Sequence, residues 1–295
     1  RPAPMTSLYQ YILAPFVEFA FMRRALLGAV MLSVSACPMG VFLMLRRMSL
    51  TGDAMAHAVL PGAAVAFLFY GLQIIPMTIG GVVTGLIVAI GAGAVSRLTV
   101  QKEDASLAAF YLTSLAFGVL LVSMRGSSID LMHVLFGTVL ALNDQALTLI
   151  GISVTVTLAA ISIFWRGLVA ECLDPLFLRS VSRLGPPIHL LFLALVVLNL
   201  VGGFQALGTL LAVGLMMVPA AAARFWTARL ETMCLAATAI GIVSCVSGLL
   251  LSYHASLPSG PAIILSAGAV YIFSILIGTR GLLAARLQRP HHKVA

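Results

Sequence analysis

Charge is scarce in this chain. Only 9% of its 295 residues are Asp, Glu, Lys or Arg, and 61% are hydrophobic, whereas a soluble domain carries about 25% charged residues. That balance excludes a water-soluble globular protein. Lysine occurs only at Lys102 and Lys293. Neither belongs to a G-x-x-x-x-G-K-[ST] loop, so the chain has no P-loop with which to hold ATP. H-E-x-x-H and G-x-S-x-G are absent too, which removes the commoner metallo- and serine-hydrolase chemistries. The four cysteines, Cys37, Cys172, Cys234 and Cys245, lack metal or redox spacing and read as small hydrophobes in apolar stretches. There is no ladder of buried carboxylates of the kind a proton pump needs. Of nine acidic residues, Asp53 alone heads an apolar run with no loop around it.

What remains is a succession of apolar runs about 20 residues long, the length that crosses the hydrocarbon core as a helix. They predict an all-α polytopic membrane bundle of eight or nine spans in a single domain over residues 1–295. The spans are expected at Ala25–Leu45, Ala54–Leu72, Pro76–Ser96, Ala105–Met124, Ala146–Trp165, Pro187–Val201, Leu207–Ala223, Thr232–Tyr253 and Gly260–Thr279. A break near Gly202–Gly203 is expected to separate the sixth from the seventh. Ile129–Leu140 is too short to span and reads as re-entrant or interfacial.

The net charge of +8 does not point to nucleic acid, because the basic residues sit at the ends of apolar runs. With Arg46 and Arg47 in the cytoplasm, alternation puts 13 of the 17 Lys and Arg residues on the same side, in accord with the positive-inside rule. The C-terminus, with its basic tail 286–295, is then cytoplasmic. The N-terminus is outside, and the N-terminal segment 1–21 lies along the outer interface over Tyr9–Phe21. The longest polar connection, "ECLDPLFLRSVSRLGPP" (Glu171–Pro187), repeats apolar residues at helical spacing in Leu176, Phe177, Val181 and Leu184. Gly185 followed by two prolines stops that pattern. Such a short amphipathic helix suits either interfacial packing or the docking of a cytoplasmic partner.

One stretch, "TGDAMAHAVLPG" (Thr51–Gly62), sets an acid and a histidine four residues apart inside an apolar run. Asp53 and His57 therefore share a helix face, and carboxylate with imidazole is a donor pair for divalent transition metals. Pro61 has no N–H to offer the His57 carbonyl, and Gly62 with its neighbouring alanines lets another helix come close. The alternative is structural: Asp53 as helix cap or first-turn acid, with His57 packed against it. Weaker candidates are His133, near the outer end of a pathway, His189 and His254 at span ends, and His291 and His292 in the tail. Pro219 is expected to kink its helix and free the Leu215 carbonyl.

Several stretches together resemble the permease subunits of bacterial ABC-type zinc and manganese importers: "LRRMSLTGDAMAHAVLPGAAVAF", "LFGTVLAL", "LDPLFLRSVSRLG", "ALGTLLAVGLMMVPAAAAR" and "LPSGPAIIL". They occur in the family's order over nearly the whole chain. The resemblance implies the helical fold shared with vitamin B12 and siderophore permeases, in the bacterial cytoplasmic membrane. It implies a homodimer, two cytoplasmic ATPase subunits that use the ATP, and a periplasmic or surface-anchored protein that delivers the metal. The chain itself is then no enzyme and holds no permanent cofactor. The family's pathway acid and histidine match Asp53 and His57. Its coupling helix matches Glu171–Gly185, which includes Asp174, Leu176 and Arg179. The cargo expected is Zn2+, with Mn2+ or iron as the alternative. An ion-gradient-driven carrier or channel is the competing class, and it has no use for a docking helix.

Overall fold

The computed structural model describes Tyr11 and residues 13–48, 51–71, 73–101, 103–123, 142–174, 178 and 185–283. Among them run a short α1 (Ala14–Glu18) and α2 (Ala20–Leu45), then α3 (Thr51–Ala58) and α4 (Leu60–Tyr70). These are followed by α5 (Ile74–Leu98), α6 (Glu103–Ser123), α7 (Asp144–Leu173), α8 (Gly185–Leu207), α9 (Thr209–Ala223), α10 (Leu230–Ala255) and α11 (Ser259–Ile277). With α3 and α4 taken as one interrupted helix, eight are long and apolar enough to cross a membrane; α9, at 15 residues, is shorter. All nine expected spans are present as helices, and the protein is a multi-pass membrane bundle. His133 and the 129–140 segment lie outside the described residues, as do Leu176, Arg179 and the tail 286–295.

These helices are apolar nearly all round, which suits elements that face lipid on one side and other helices on the other. On α5, the residues Ile79, Val83, Ile87 and Ile90 repeat at helical spacing on an exposed face. α2 is the central post and packs against α7, α8, α9 and α10, while α8 bridges to α3 and α5. Two ends of the bundle are defined by contacts. At one, Phe42 meets Trp165 edge-on, and Thr279 Oγ1 donates to the carbonyl of Trp226. At the other, Arg24 pairs with Asp144 at 3.2 Å, and His254 Nε2 lies 3.0 Å from the Tyr11 carbonyl.

Glycine sets the closest crossings. Gly62 of α4 and Gly80 of α5 lie so close that a Cβ on either would strike the other's backbone carbonyl. A Cβ on Gly40 of α2 would strike the Met216 carbonyl of α9. Small residues allow such approach where lipid provides no hydrophobic drive for helix association. The proline-freed carbonyl of Leu215 accepts a bond from Cys37 Sγ at 3.3 Å, as the position of Pro219 predicts.

Three sequence expectations need correction. The sixth and seventh spans part at Gly208, with φ of 92°, and not at Gly202–Gly203. Those two glycines stay helical and serve packing instead: a Cβ on Gly203 would come within 2.7 Å of the Ala212 Cβ. The fifth span does not end at Trp165. α7 kinks at Phe164 and continues to Leu173, because Arg166 points outward while Leu168 and Cys172 turn to the core. Gly185 is the first residue of α8, and Pro186 and Pro187 occupy its first turn, where a missing N–H costs nothing.

Substituting Gly62 by Val is expected to lower stability by about 1–3 kcal/mol, the usual cost of forced overpacking. Gly268→Ala, where an added Cβ meets nothing within 4 Å, should be neutral or slightly stabilising. Thermal unfolding of the purified protein in detergent measures both, and equal melting temperatures would count against the close-crossing account.

Candidate functional site

The Asp53–His57 pair lies on α3, which starts at Thr51 and stops at Ala58. The helix restarts at Leu60, and Pro61 supplies no N–H at this junction. A neighbouring helix holds the break: Ser114 Oγ of α6 donates to the Ala58 carbonyl at 2.9 Å. One turn on, a Cβ at Gly118 would meet Pro61 at 3.1 Å, so α6 presses directly on the kink.

Most of α3 is buried, including Thr51, Gly52, Ala54, Met55, Ala56 and Ala58. The side chain of Asp53 is 68% exposed and that of His57 37%. With the half-buried Leu60 they form a stripe at positions i, i+4 and i+7, the one face of this helix that the protomer leaves uncovered. Asp53 is the third residue of the helix, in its first turn and not at its cap. Its Oδ1 lies 3.7 Å from His57 Nε2, too far for a hydrogen bond. His57 Nδ1 is itself buried and has no hydrogen-bond partner. The other ring nitrogen, Nε2, faces the Asp53 carboxylate without bonding it, so the pair is a donor set with open valence. It fits a divalent ion by ligand chemistry. Among the described residues no three His, Cys, Asp or Glu side chains converge as a metal site. Among the described residues one protomer thus offers two of these ligands, Asp53 and His57.

A second ionisable cluster was not legible from spacing. Glu171, expected in a polar connection, occupies the last turn of α7 and is 0% exposed. Arg46, the residue closing α2, places Nη2 at 3.5 Å from Glu171 Oε1 and Nη1 at 2.8 Å from His189 Nδ1. His189 Nδ1 lies 3.2 Å from the same carboxylate oxygen. Nδ1 thus stands within reach of a donor, the guanidinium, and of an acceptor, the carboxylate, and the ring tautomer decides which bond it makes. The guanidinium stands between the Glu171 carboxylate and the His189 ring. The Arg46 guanidinium also stands 5.2 Å from the centre of the Phe192 ring, an attractive cation–π geometry. Neither Glu171 oxygen meets full hydrogen-bond geometry, so the carboxylate is held by ion pairing. The usable sequence signal was the apolar period of α7: Leu168, Glu171 and Cys172 fall at i, i+3 and i+4 on one buried face.

Of the other expected residues, Asp174 caps α7 and is exposed, while Gly185 is buried. The Leu178 N–H donates to the Asp174 carbonyl at 3.2 Å. His189 is not interfacial but 2% exposed. An apolar groove between α2 and α7, lined by Leu27, Met31, Gly151 and Val154 among others, holds no ionisable side chain.

The manganese import system permease protein ScaB of Streptococcus gordonii is 34% identical over 264 residues, 89% of this chain and 93% of that one. The manganese transport system membrane protein MntC of Halalkalibacterium halodurans is 32% identical, over 90% of this chain and 89% of its own. The chelated iron transport system membrane protein YfeD of Yersinia pestis is 30% identical, with 92% and 90% covered. Among solved structures, PsaBC from Streptococcus pneumoniae in complex with Fab superimposes with a TM-score of 0.82 at 30% identity, covering 95% of this chain and 99% of that one. Residues 18–278 match the ABC 3 transport family, and with the helical bundle and these relatives the match establishes that the chain belongs to that family.

Proposed function

We propose that this chain is the permease subunit of an ATP-driven importer that carries a divalent transition metal, manganese in the first instance, across the bacterial cytoplasmic membrane. The observation that carries the reading is the α3 stripe. A carboxylate 68% exposed on a helix inside an apolar bundle has no tenable place against hydrocarbon, so the stripe faces water or a second protein surface. Two copies of the chain, related by a two-fold axis through this face, would bring two carboxylates and two imidazoles together. The ion is the cargo, so its stop on these ligands is brief and weak. A bare divalent ion in hydrocarbon is far too costly, which favours alternating gates over an open pore.

The cargo reading rests on relatives whose names specify manganese or iron. The two-imidazole, two-carboxylate set also suits tetrahedral zinc, so zinc is the second reading. Manganese favours oxygen-rich coordination, and water would complete its shell.

Other features agree. Arg46, Arg47, Arg97, Arg166, Arg224, Arg229 and Arg280 all lie near one end of the bundle, and the positive-inside rule assigns that end to the cytoplasm. The connection 174–185 opens from the same end and supports docking of two ATPase subunits, which the chain needs because it has no P-loop. A soluble metal-binding protein would deliver the ion on the other side.

Uptake of 54Mn2+ and 65Zn2+ into proteoliposomes holding the permease with its ATPase tests the reading. Asp53→Asn and His57→Ala should each cut uptake by about tenfold or more, since even outer-shell partners of a metal cost that much. A merely structural first-turn acid would tolerate Asn, and near-normal transport would return Asp53 to that role. Preferential uptake of zinc at equal concentrations would move the cargo to the second reading. Uptake that continues with the ATPase inactivated would favour a carrier or channel.

The docking loop has its own test. Leu176→Asp should abolish co-purification of the ATPase subunits while the permease still inserts and elutes as wild type in detergent. Full ATPase binding by that variant would remove the loop from the interface.

A further inference from the structure

The two ends of the docking loop and the turn that leads into α3 meet at one point, the cluster of Arg46, Glu171 and His189. Glu171 stands three residues before Asp174, where α7 ends. His189 stands four residues after Gly185, where α8 begins. Each is therefore within about one helical turn, 5.4 Å, of the loop. Arg46 closes α2, and the chain from there to α3 has little slack. Arg47 N–H bonds the Met44 carbonyl at 3.0 Å, Met48 N–H the Leu43 carbonyl at 3.0 Å, and Thr51 N–H the Met48 carbonyl at 3.0 Å. Arg47 takes the left-handed conformation, φ 59°, and Met48 is buried at 5% exposure. Thr51 is the first residue of the helix that presents Asp53 and His57.

We propose that Arg46, Glu171 and His189 are positioning residues: a clamp that carries displacement of the 174–185 loop into α3, and so into the metal-ligating stripe. The proposal rests on the permease reading above and names the link within it. Its physical basis is burial. Glu171 is 0% and Arg46 7% exposed. Parting them would strip the Glu171 carboxylate of its guanidinium in a low-dielectric interior, which is strongly disfavoured. The three groups therefore move together. The guanidinium fork is what lets one residue hold both others, with Nη1 on His189 and Nη2 toward Glu171. A lysine ammonium is a single point and lacks that span.

The test uses the full complex of permease and ATPase subunits in proteoliposomes and reads Mn2+ taken up per ATP hydrolysed. The double variant Arg46→Met with Glu171→Gln removes both charges of the pair at once, so neither is left buried opposite a missing partner, and it is expected to assemble. We expect it to retain the ATPase subunits and hydrolyse ATP, while metal carried per ATP falls by about tenfold, the scale of coupling between linked sites. Arg46→Lys should give an intermediate ratio, and it decides the matter if the double variant fails to assemble. A wild-type ratio in either assembled variant would overturn the clamp, even where the yield of complex falls, because that is the signature of a purely structural ion pair. If the unsubstituted complex shows no ATP-dependent uptake, the permease reading itself fails and the clamp with it.

Discussion

Arg46 holds its guanidinium between the Glu171 carboxylate and the Nδ1 of His189, all three nearly sealed from solvent. In a chain with this little charge, an ion pair so deeply buried is the constraint around which its end of the bundle is arranged. It joins the end of α2 to the end of α7 and the start of α8, which lie more than a hundred residues further along the chain. Replacing such a cluster by hydrocarbon commonly leaves stability unchanged or improves it. Its retention at the mouth of a loop therefore speaks for position more than for stability.

Asp53 and His57 are the same residue types treated in the opposite way. Their nearest approach is 3.7 Å, and His57 Nδ1 is left unpartnered. The Asn199 amide, by contrast, donates to the Thr157 hydroxyl and to the Leu195 carbonyl. An imidazole whose Nε2 faces an exposed carboxylate without bonding it is a site with unused bonding capacity. The break between α3 and α4 keeps it there. Ser114 holds the Ala58 carbonyl, and Gly118 lets α6 lie against Pro61, which turns the stripe away from the protomer's own core.

Close helix contacts make this geometry reproducible. The bundle has apolar residues on nearly every face, so hydrophobicity alone does not set which helices touch. The glycine crossings at Gly62 with Gly80 and at Gly40 with Met216 supply the shape that does. The Cys37 bond to the Leu215 carbonyl likewise fixes α2 against α9 where Pro219 opens the backbone. These contacts orient α2 and α4, and through them the turn and the short helix between.

The helical class, the number of apolar segments and the Asp53–His57 spacing were legible in the sequence, because span length and helical periodicity are local properties. The missing N–H of Pro61 and the expectation of close approach at Gly62 were local too, whereas the break between α3 and α4 within the expected span Ala54–Leu72 came from the structure. The tertiary structure alone decided that Gly202 and Gly203 pack while Gly208 breaks the chain, since a glycine's part depends on what stands opposite it. It alone carried α7 past Arg166, whose charge looks like a terminus until it is seen to point outward. And it alone brought Arg46, Glu171 and His189 together across more than a hundred residues of chain. Each of these reads in isolation as an ordinary charge near a span end, and only the fold removes the water that would have made them so.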